Sequence, residues 1–187
     1  MYEHQGLPGG LAFTGTVTWP GAKSQPSRPG DHGWVDTTAA RTPPMPPLLV
    51  RRAEPAAERY VAALLQEVPV DPAEVADLIR DHGVLVLYDL TLPPTAPPLA
   101  AAAFRLHRPA GTAQLAGIGV RPDLRGRGLG RRLLIGALTW LRADGFEQVH
   151  AFAAAGGAGP SLLASAGFTA GHGTDRADGC SRLVLLL

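Results

Sequence analysis

The chain is poor in the residues that most often announce a function. Of its 187 residues one is cysteine, Cys180, and one of the seventeen basic residues is lysine, Lys23. A lone cysteine excludes an intrachain disulfide framework and fits a reducing, cytoplasmic setting. Such a residue is ordinarily a small buried apolar side chain rather than a nucleophile. With no Gly-Lys pair, a P-loop is excluded. Aromatic residues make up 6 % of the sequence, too few and too scattered for a nucleic-acid stacking platform. The formal net charge is +1, so no global field draws the protein to nucleic acid or to a membrane. No apolar run approaches the roughly 18 residues of a membrane span, and the N-terminus has no charged-then-apolar leader pattern.

What is present divides unevenly. Residues 1–47 hold eight of the eighteen prolines and seven glycines without sustained periodicity. This composition buries too little apolar surface to offset its ordering entropy, so a tail is expected, with Trp19 or Trp34 as anchors. Met45 is a candidate start, which leaves residues 1–44 of uncertain membership. From Leu48 the 45 % apolar content becomes regular, and residues 48–187 read as one domain.

Within it, "LLVRRA" reads as a strand and "EPAAERYVAALLQEV" as a helix with Pro55 in its first turn. "DPAEVADLIRDHG" reads as a helix capped by Asp71 and ended by Gly83. "VLVLYDL", "LAAAAFRL" and "AQLAGIGV" follow as strands, the last two joined by a turn at "RPAGT". A helix is expected from about Gly130 to Asp144, then the strand "QVHAFAA", the short helix "PSLLASA" ended by Gly167, and the strand "SRLVLLL". The order β-α-α-β-β-β-α-β-α-β predicts a single α/β domain with a mixed sheet.

The segment "RPDLRGRGLGRRLL", Arg121 to Leu134, carries five arginines and three glycines between a strand and a helix. A helix N-terminus has unpaired N–H groups and a partial positive charge, which favour anions. Gly126, Gly128 and Gly130 let the backbone turn and let a phosphate approach without meeting a Cβ. Arg125, Arg127, Arg131 and Arg132 add charged donors. The dinucleotide fingerprint G-x-G-x-x-G fails, because Arg131 stands at the third glycine. A pyrophosphate cradle, a nucleic-acid contact and a solvated turn are the readings, and glycine at alternate positions opening a helix favours the first.

"VRPDLRGRGLG", Val120 to Gly130, resembles motif A of the GNAT superfamily of acyl-CoA-dependent N-acyltransferases, whose core is [RQ]-x-x-G-x-[GA]. Arg125, Gly128 and Gly130 match its fixed positions, and "ASAGF" resembles the family's ending of the last helix. The resemblance runs element by element over residues 48–187. It implies an α/β (α+β) fold with a central, mixed, mostly antiparallel sheet flanked by helices. It also implies acetyl-CoA as acyl donor, no metal, and a small-molecule or peptide amine as acceptor; a homodimer is possible. Residues Arg125, Gly126, Arg127, Gly128, Leu129, Gly130 and Arg131 would hold the coenzyme A pyrophosphate, and Ile118, Gly119 and Val120 would pair with the pantetheine arm. Gly117 and Gly119 inside a strand fit a bulge and a close backbone approach; packing under a helix is the alternative.

The family's catalytic groups are missing. Its carboxylate falls on Gln114, its tyrosine on Leu163 and its asparagine on Gly156. Asp89, His150 and Ser161 are substitutes by position, with ordinary roles as turn cap, core histidine and helix-start residue. No catalytic residue is assigned, and a silent acyl-CoA-binding or regulatory protein is the alternative function. Charge adds one expectation. Between Glu54 and Asp89 eight carboxylates face two arginines, and between Arg105 and Arg132 seven arginines face one aspartate. An acidic region bordering the acceptor site would favour a cationic amine.

Overall fold

Four consecutive alanines, Ala100 to Ala103, have no exposed surface. They occupy the middle of a sheet covered on both faces, where small side chains let helices approach from either side. The computed structural model describes residues 11–12, 46–68, 70–154, 157–171 and 180–187; Trp19, Trp34, Met45 and Gly156 lie outside them. The elements are β1 (Leu11–Ala12), β2 (Leu48–Arg52), α1 (Glu58–Leu65), α2 (Pro72–Arg80), β3 (Val84–Asp89), β4 (Ala100–His107) and β5 (Thr112–Val120). They continue with α3 (Leu129–Ala143), β6 (Gln148–Ala154), α4 (Ala158–Ser165), β7 (Thr169–Ala170) and β8 (Cys180–Leu186).

The eight strands lie in the order β1-β2-β3-β4-β5-β6-β8-β7. The β5–β6 pair is parallel and the other neighbours are antiparallel. On one face α3 and α4 bury Leu133, Leu134, Leu141 and Leu163 against Leu85, Leu87, Phe104 and Val149. On the other, Val61 and Leu65 of α1 and Val75, Leu78 and Ile79 of α2 pack on Val84, Val86, Ala101 and Ala103. Burying each such branched side chain is worth about 1.5–3 kcal/mol relative to exposure.

Local chemistry accounts for the helix ends. The Asp71 carboxylate accepts a hydrogen bond from Ala73 N at 2.9 Å, with Pro72 at the first helical position. Gly145 and Gly167, at φ 87° and 95°, follow α3 and α4 in the left-handed region that glycine occupies freely.

Three expectations need correction. Pro55 lies in a 3-10 turn, Pro55–Ala57, ahead of α1 rather than inside it. His82, not Gly83, adopts the left-handed conformation after α2. Gly83 is required because a Cβ there would stand 2.2 Å from the Phe104 carbonyl oxygen. Helix α4 starts at Ala158, so Ser161 lies within it, exposed, and does not begin it. Within the expected tail, Leu11–Ala12 pair with Leu49 and Val50 at the sheet edge.

Candidate active site

Strands β5 and β6 pair from Thr112–Gln148 to Leu115–Ala151 and then part. The cause sits on β5. Against β4, Ala103 pairs with Gly117 while Phe104 pairs with Leu115, leaving Ala116 as an extra residue. Such a bulge bends its strand and sharpens the twist. It also shifts the alternation of side chains. Ala113 and Leu115 point into the α3 core, as do Ile118 and Val120 beyond the bulge, whereas Gly117 and Gly119 turn to α1.

The gap is a cleft of about 710 Å³. Ile118 and Val120 of β5, Phe152 and Ala153 of β6, Gly126 and Gly128 of the loop, and Leu163 of α4 are among its walls. Residues 117–120 stay paired to β4, while the edge facing β6 is free of the ladder past Leu115.

At the mouth the chain makes a 3-10 turn, Pro122–Leu124, and passes through Arg125 into the loop. Gly126 and Gly128 have φ of 77° and 75°, and a Cβ built on either meets nothing within 4 Å. These glycines are therefore fixed by conformation and leave open space above them. Gly128 is the N-cap of α3 and its carbonyl accepts from Arg132 N at 3.1 Å. The N–H groups of Leu129, Gly130 and Arg131 consequently have no intrahelical acceptor. Positive φ, free amides and open space form a concave donor set suited to a pyrophosphate.

The arginines are unequal. Arg125 donates to Val120 O at 3.2 Å and to Glu67 at 2.7 Å, which ties the phosphate loop to the end of α1. Arg131 lines the cleft and donates to Ser165 O at 3.4 Å. Arg127, expected among the coenzyme residues, does not line the cleft. The strand glycines also differ from the expectation of a ligand approach. A Cβ on Gly119 would lie 1.9 Å from Leu64 O, and one on Gly117 would lie 2.6 Å from Val68 Cγ2. Both are spaces for α1 and the turn after it, the helix-packing alternative.

The catalytic substitutes separate clearly. Asp89 accepts from Thr91 N at 2.8 Å and Thr91 Oγ1 at 2.6 Å, a turn cap. Gln114 and His150 are partners on the parallel rung next to the last one before the gap. His150 Nδ1 lies 2.9 Å from Arg182 Nη2. A guanidinium donates and cannot accept, so Nδ1 accepts and the neutral ring carries its proton on Nε2. Burial, then the Arg182 charge, then His107 hold the His150 pKa below its ordinary value. The ring is thus a neutral donor whose basic nitrogen is already used. Sequence gave no sign of this pairing, because it joins residues 32 positions apart.

Four of the eight carboxylates in the acidic region are ion-paired. Glu54 pairs with Arg51 at 3.3 Å, Glu67 with Arg125 at 2.7 Å, Glu74 with Arg105 at 2.6 Å and Asp77 with Arg80 at 2.5 Å. Asp71 and Asp89 serve as caps. Among the described residues no group of three or more His, Cys, Asp or Glu side chains could hold a metal ion, and no helix is long and apolar enough to cross a membrane.

A bulged strand splayed from its parallel neighbour, with a glycine loop opening the helix between them, is the frame of a CoA-dependent acyltransferase. Residues 50–159 match the Acetyltransferase (GNAT) family, and the chain belongs to it. Its fold is similar to that of Rv2747 from Mycobacterium tuberculosis in complex with CoA and NLQ, at TM-score 0.60 and 16 % identity over 74 % of this chain and 98 % of that one. It also resembles the ribosomal-protein-S18-alanine N-acetyltransferase of Escherichia coli, at TM-score 0.55, 20 % identity and coverage of 75 % and 92 %. A third likeness is PaiA N-acetyltransferase of Thermoplasma acidophilum in complex with coenzyme A, at 0.56, 12 %, 75 % and 99 %. At such identities the likeness is one of fold. No curated protein matches the chain.

Proposed function

We propose that the protein transfers an acetyl group from acetyl-CoA to a primary amine of a small molecule or peptide, in the cytoplasm. The carrying observation is the cradle at the start of α3: two positive-φ glycines, free helix-start amides and open space at the mouth of a splayed-strand cleft. Backbone amides of residues 126–131 would hold the pyrophosphate, Arg131 would add charge, and the free edge of Ile118, Gly119 and Val120 would receive the pantetheine amides. The relatives of known structure crystallised with coenzyme A support this reading of the cleft. We assign this activity to a domain of residues 48–187, with residues 1–47 an appendage.

In the reaction the amine nitrogen, already neutral, attacks the thioester carbonyl carbon. The N–C bond forms, the C–S bond breaks with its electron pair leaving on sulfur, and the proton lost by nitrogen passes through solvent to the thiolate. Among the described residues none of the positions considered supplies a free base: Leu163 of the cleft wall is apolar, the cleft carboxylate Glu67 is held by Arg125, and beside the cleft Gln114 is an amide and His150 has its acceptor nitrogen bonded to Arg182. The chain's own contribution is positioning, together with the polarising N–H groups that the bulge frees along β5.

A thiol-release assay with acetyl-CoA and a panel of amines tests the proposal. Release dependent on one class of amine is the expected result. Coenzyme A binding without release against any amine would establish the silent-binder alternative.

A further inference from the structure

The sheet face opposite α3 carries a row of polar side chains next to the point where β5 and β6 part. Val149, Ala151 and Ala153 of β6 point into the α3 core, so His150 and Phe152 point the other way. Register places Gln114 beside His150 on one side and Val184 on the other, with Arg182 opposite Phe152. Phe152 is a wall of the cleft. Arg182 therefore stands directly beside it across the β6–β8 pair, and His150 one same-face step, about 7 Å, along β6.

The charges on this face differ in how they are matched. Arg105, paired across β5 with Gln114, is held bidentately by Glu74 at 2.6 and 2.8 Å. Among the described residues Arg182 has no carboxylate within ion-pairing distance. Its hydrogen bond goes instead to His150 Nδ1, a neutral acceptor. Among the described residues the other guanidinium N–H groups have no partner, and the contact turns the His150 proton onto Nε2, away from Arg182. A cationic donor, oriented by the His150 ring, thus lies beside the cleft. Among the described residues this half-buried arginine has no counter-ion, and a carboxylate matches its fork geometry best.

Given the acyltransferase reading, on which this inference rests, the geometry points to an acceptor that carries a carboxylate within a few bonds of its amine, an amino-acid-like molecule. The carboxylate binds the guanidinium of Arg182, which His150 Nδ1 holds in place, and the amine is then directed toward the gap beyond Leu115 and Ala151. Helices α3 and α4 close the opposite face of the sheet, so the acceptor enters from the side on which these donors lie.

The experiment compares the common L-amino acids with their carboxamides as acceptors for the full chain, with thiol release as readout and calorimetry of coenzyme A alongside. The expected result is a kcat/KM at least about 10- to 100-fold higher for an acid than for its amide, the range of a charge-assisted hydrogen-bond pair. In Arg182→Gln the preference disappears, mainly through KM, while the coenzyme A Kd stays the same; Arg182→Lys restores part of it. Equal use of acids and amides by the wild type, which needs no variant to fold, would overturn the inference. So would transfer confined to amines without a carboxylate. Failure to bind coenzyme A would overturn the acyltransferase reading instead, and this inference with it.

Discussion

The guanidinium of Arg125 lies 2.7 Å from the carboxylate of Glu67, joining the first residue of the phosphate loop to the chain just beyond α1. Both side chains are about half exposed, at 48 % and 57 %, so the pair adds little stability, in the range of about 0–1 kcal/mol. Its larger effect is on ligand charge, because Glu67 also lines the cleft that would receive a polyanion. Glu67→Gln is expected to tighten coenzyme A binding about threefold, less at high salt, with an unchanged melting temperature. Titration calorimetry at two ionic strengths checks this. Weaker binding would mean that Glu67 acts by holding Arg125 in place.

Gly128 and Gly130 sit two residues apart and should respond in opposite ways. Gly128 has φ 75° with open space around it, so a Cβ there meets strain rather than a clash. Gly128→Val should cost about 1–2 kcal/mol of local strain and, by moving the loop amides, weaken coenzyme A binding at least about tenfold. A Cβ on Gly130 would lie 3.4 Å from Val120 Cγ2, an ordinary contact. Gly130→Ala should therefore bind coenzyme A like the wild type. Equal Kd values for wild type and Gly128→Val would refute the cradle.

Gly119→Ala probes a packing role. With Leu64 O only 1.9 Å from the new Cβ, α1 must move off β5, and the overpacking should cost about 1–3 kcal/mol or more. Chemical denaturation measures this. A variant with full stability but impaired coenzyme A binding would return Gly119 to the ligand-contact role.

These glycines show where sequence was informative and where it was not. The order of strands and helices, the cap at Asp71 and the loop from Arg125 to Gly130 were legible because each depends on local chemistry: capping, turn conformation and hydrophobic period. The bulge was expected near Gly117, but the extra residue is Ala116, which has no distinctive local preference. Whether Gly117 and Gly119 meet a ligand or a helix depends on where residues 64 and 68 fall in space. The charge balance of the α1–α2 region is incomplete in the same way. Some of its carboxylates find partners such as Arg105, 31 residues from Glu74, and long-range pairing leaves no local pattern.

The tail offers a test of domain limits. Strand β2 begins at Leu48, and the two tail residues that pair with it, Leu11 and Ala12, add a short edge. A chain starting at Met45 is expected to melt within about 2–4 °C of the full chain, the shift that roughly 1 kcal/mol produces in a protein of this size. It should also bind coenzyme A with the same Kd. A collapse in yield or melting temperature would make residues 1–44 part of the folded unit.

The pH dependence of catalysis follows from His150. Its pKa is lowered by burial first, then by Arg182 and by His107. A lowered histidine pKa means that the neutral ring persists to more acidic pH, so its contribution to folding is present above the ordinary value of about 6.5 and is lost as pH falls below it. Between pH 7 and 9 the ring does not titrate, and its Nδ1 is bonded to Arg182. It therefore supplies no base for an amine whose own pKa lies near 8–10. The kcat/KM of the wild type should rise with pH toward the pKa of the acceptor amine, nearly tenfold per unit in its steep part, because the neutral amine must come from solution. His150→Gln should lower the curve through weaker acceptor binding and keep its slope. Gln114→Glu should raise kcat/KM about tenfold at pH 7, or about 1.4 kcal/mol of barrier, and flatten the profile by supplying the missing base. A wild-type profile already level at pH 7, with a slope appearing in His150→Gln, would show that Arg182 releases His150 during turnover and that the histidine is the base.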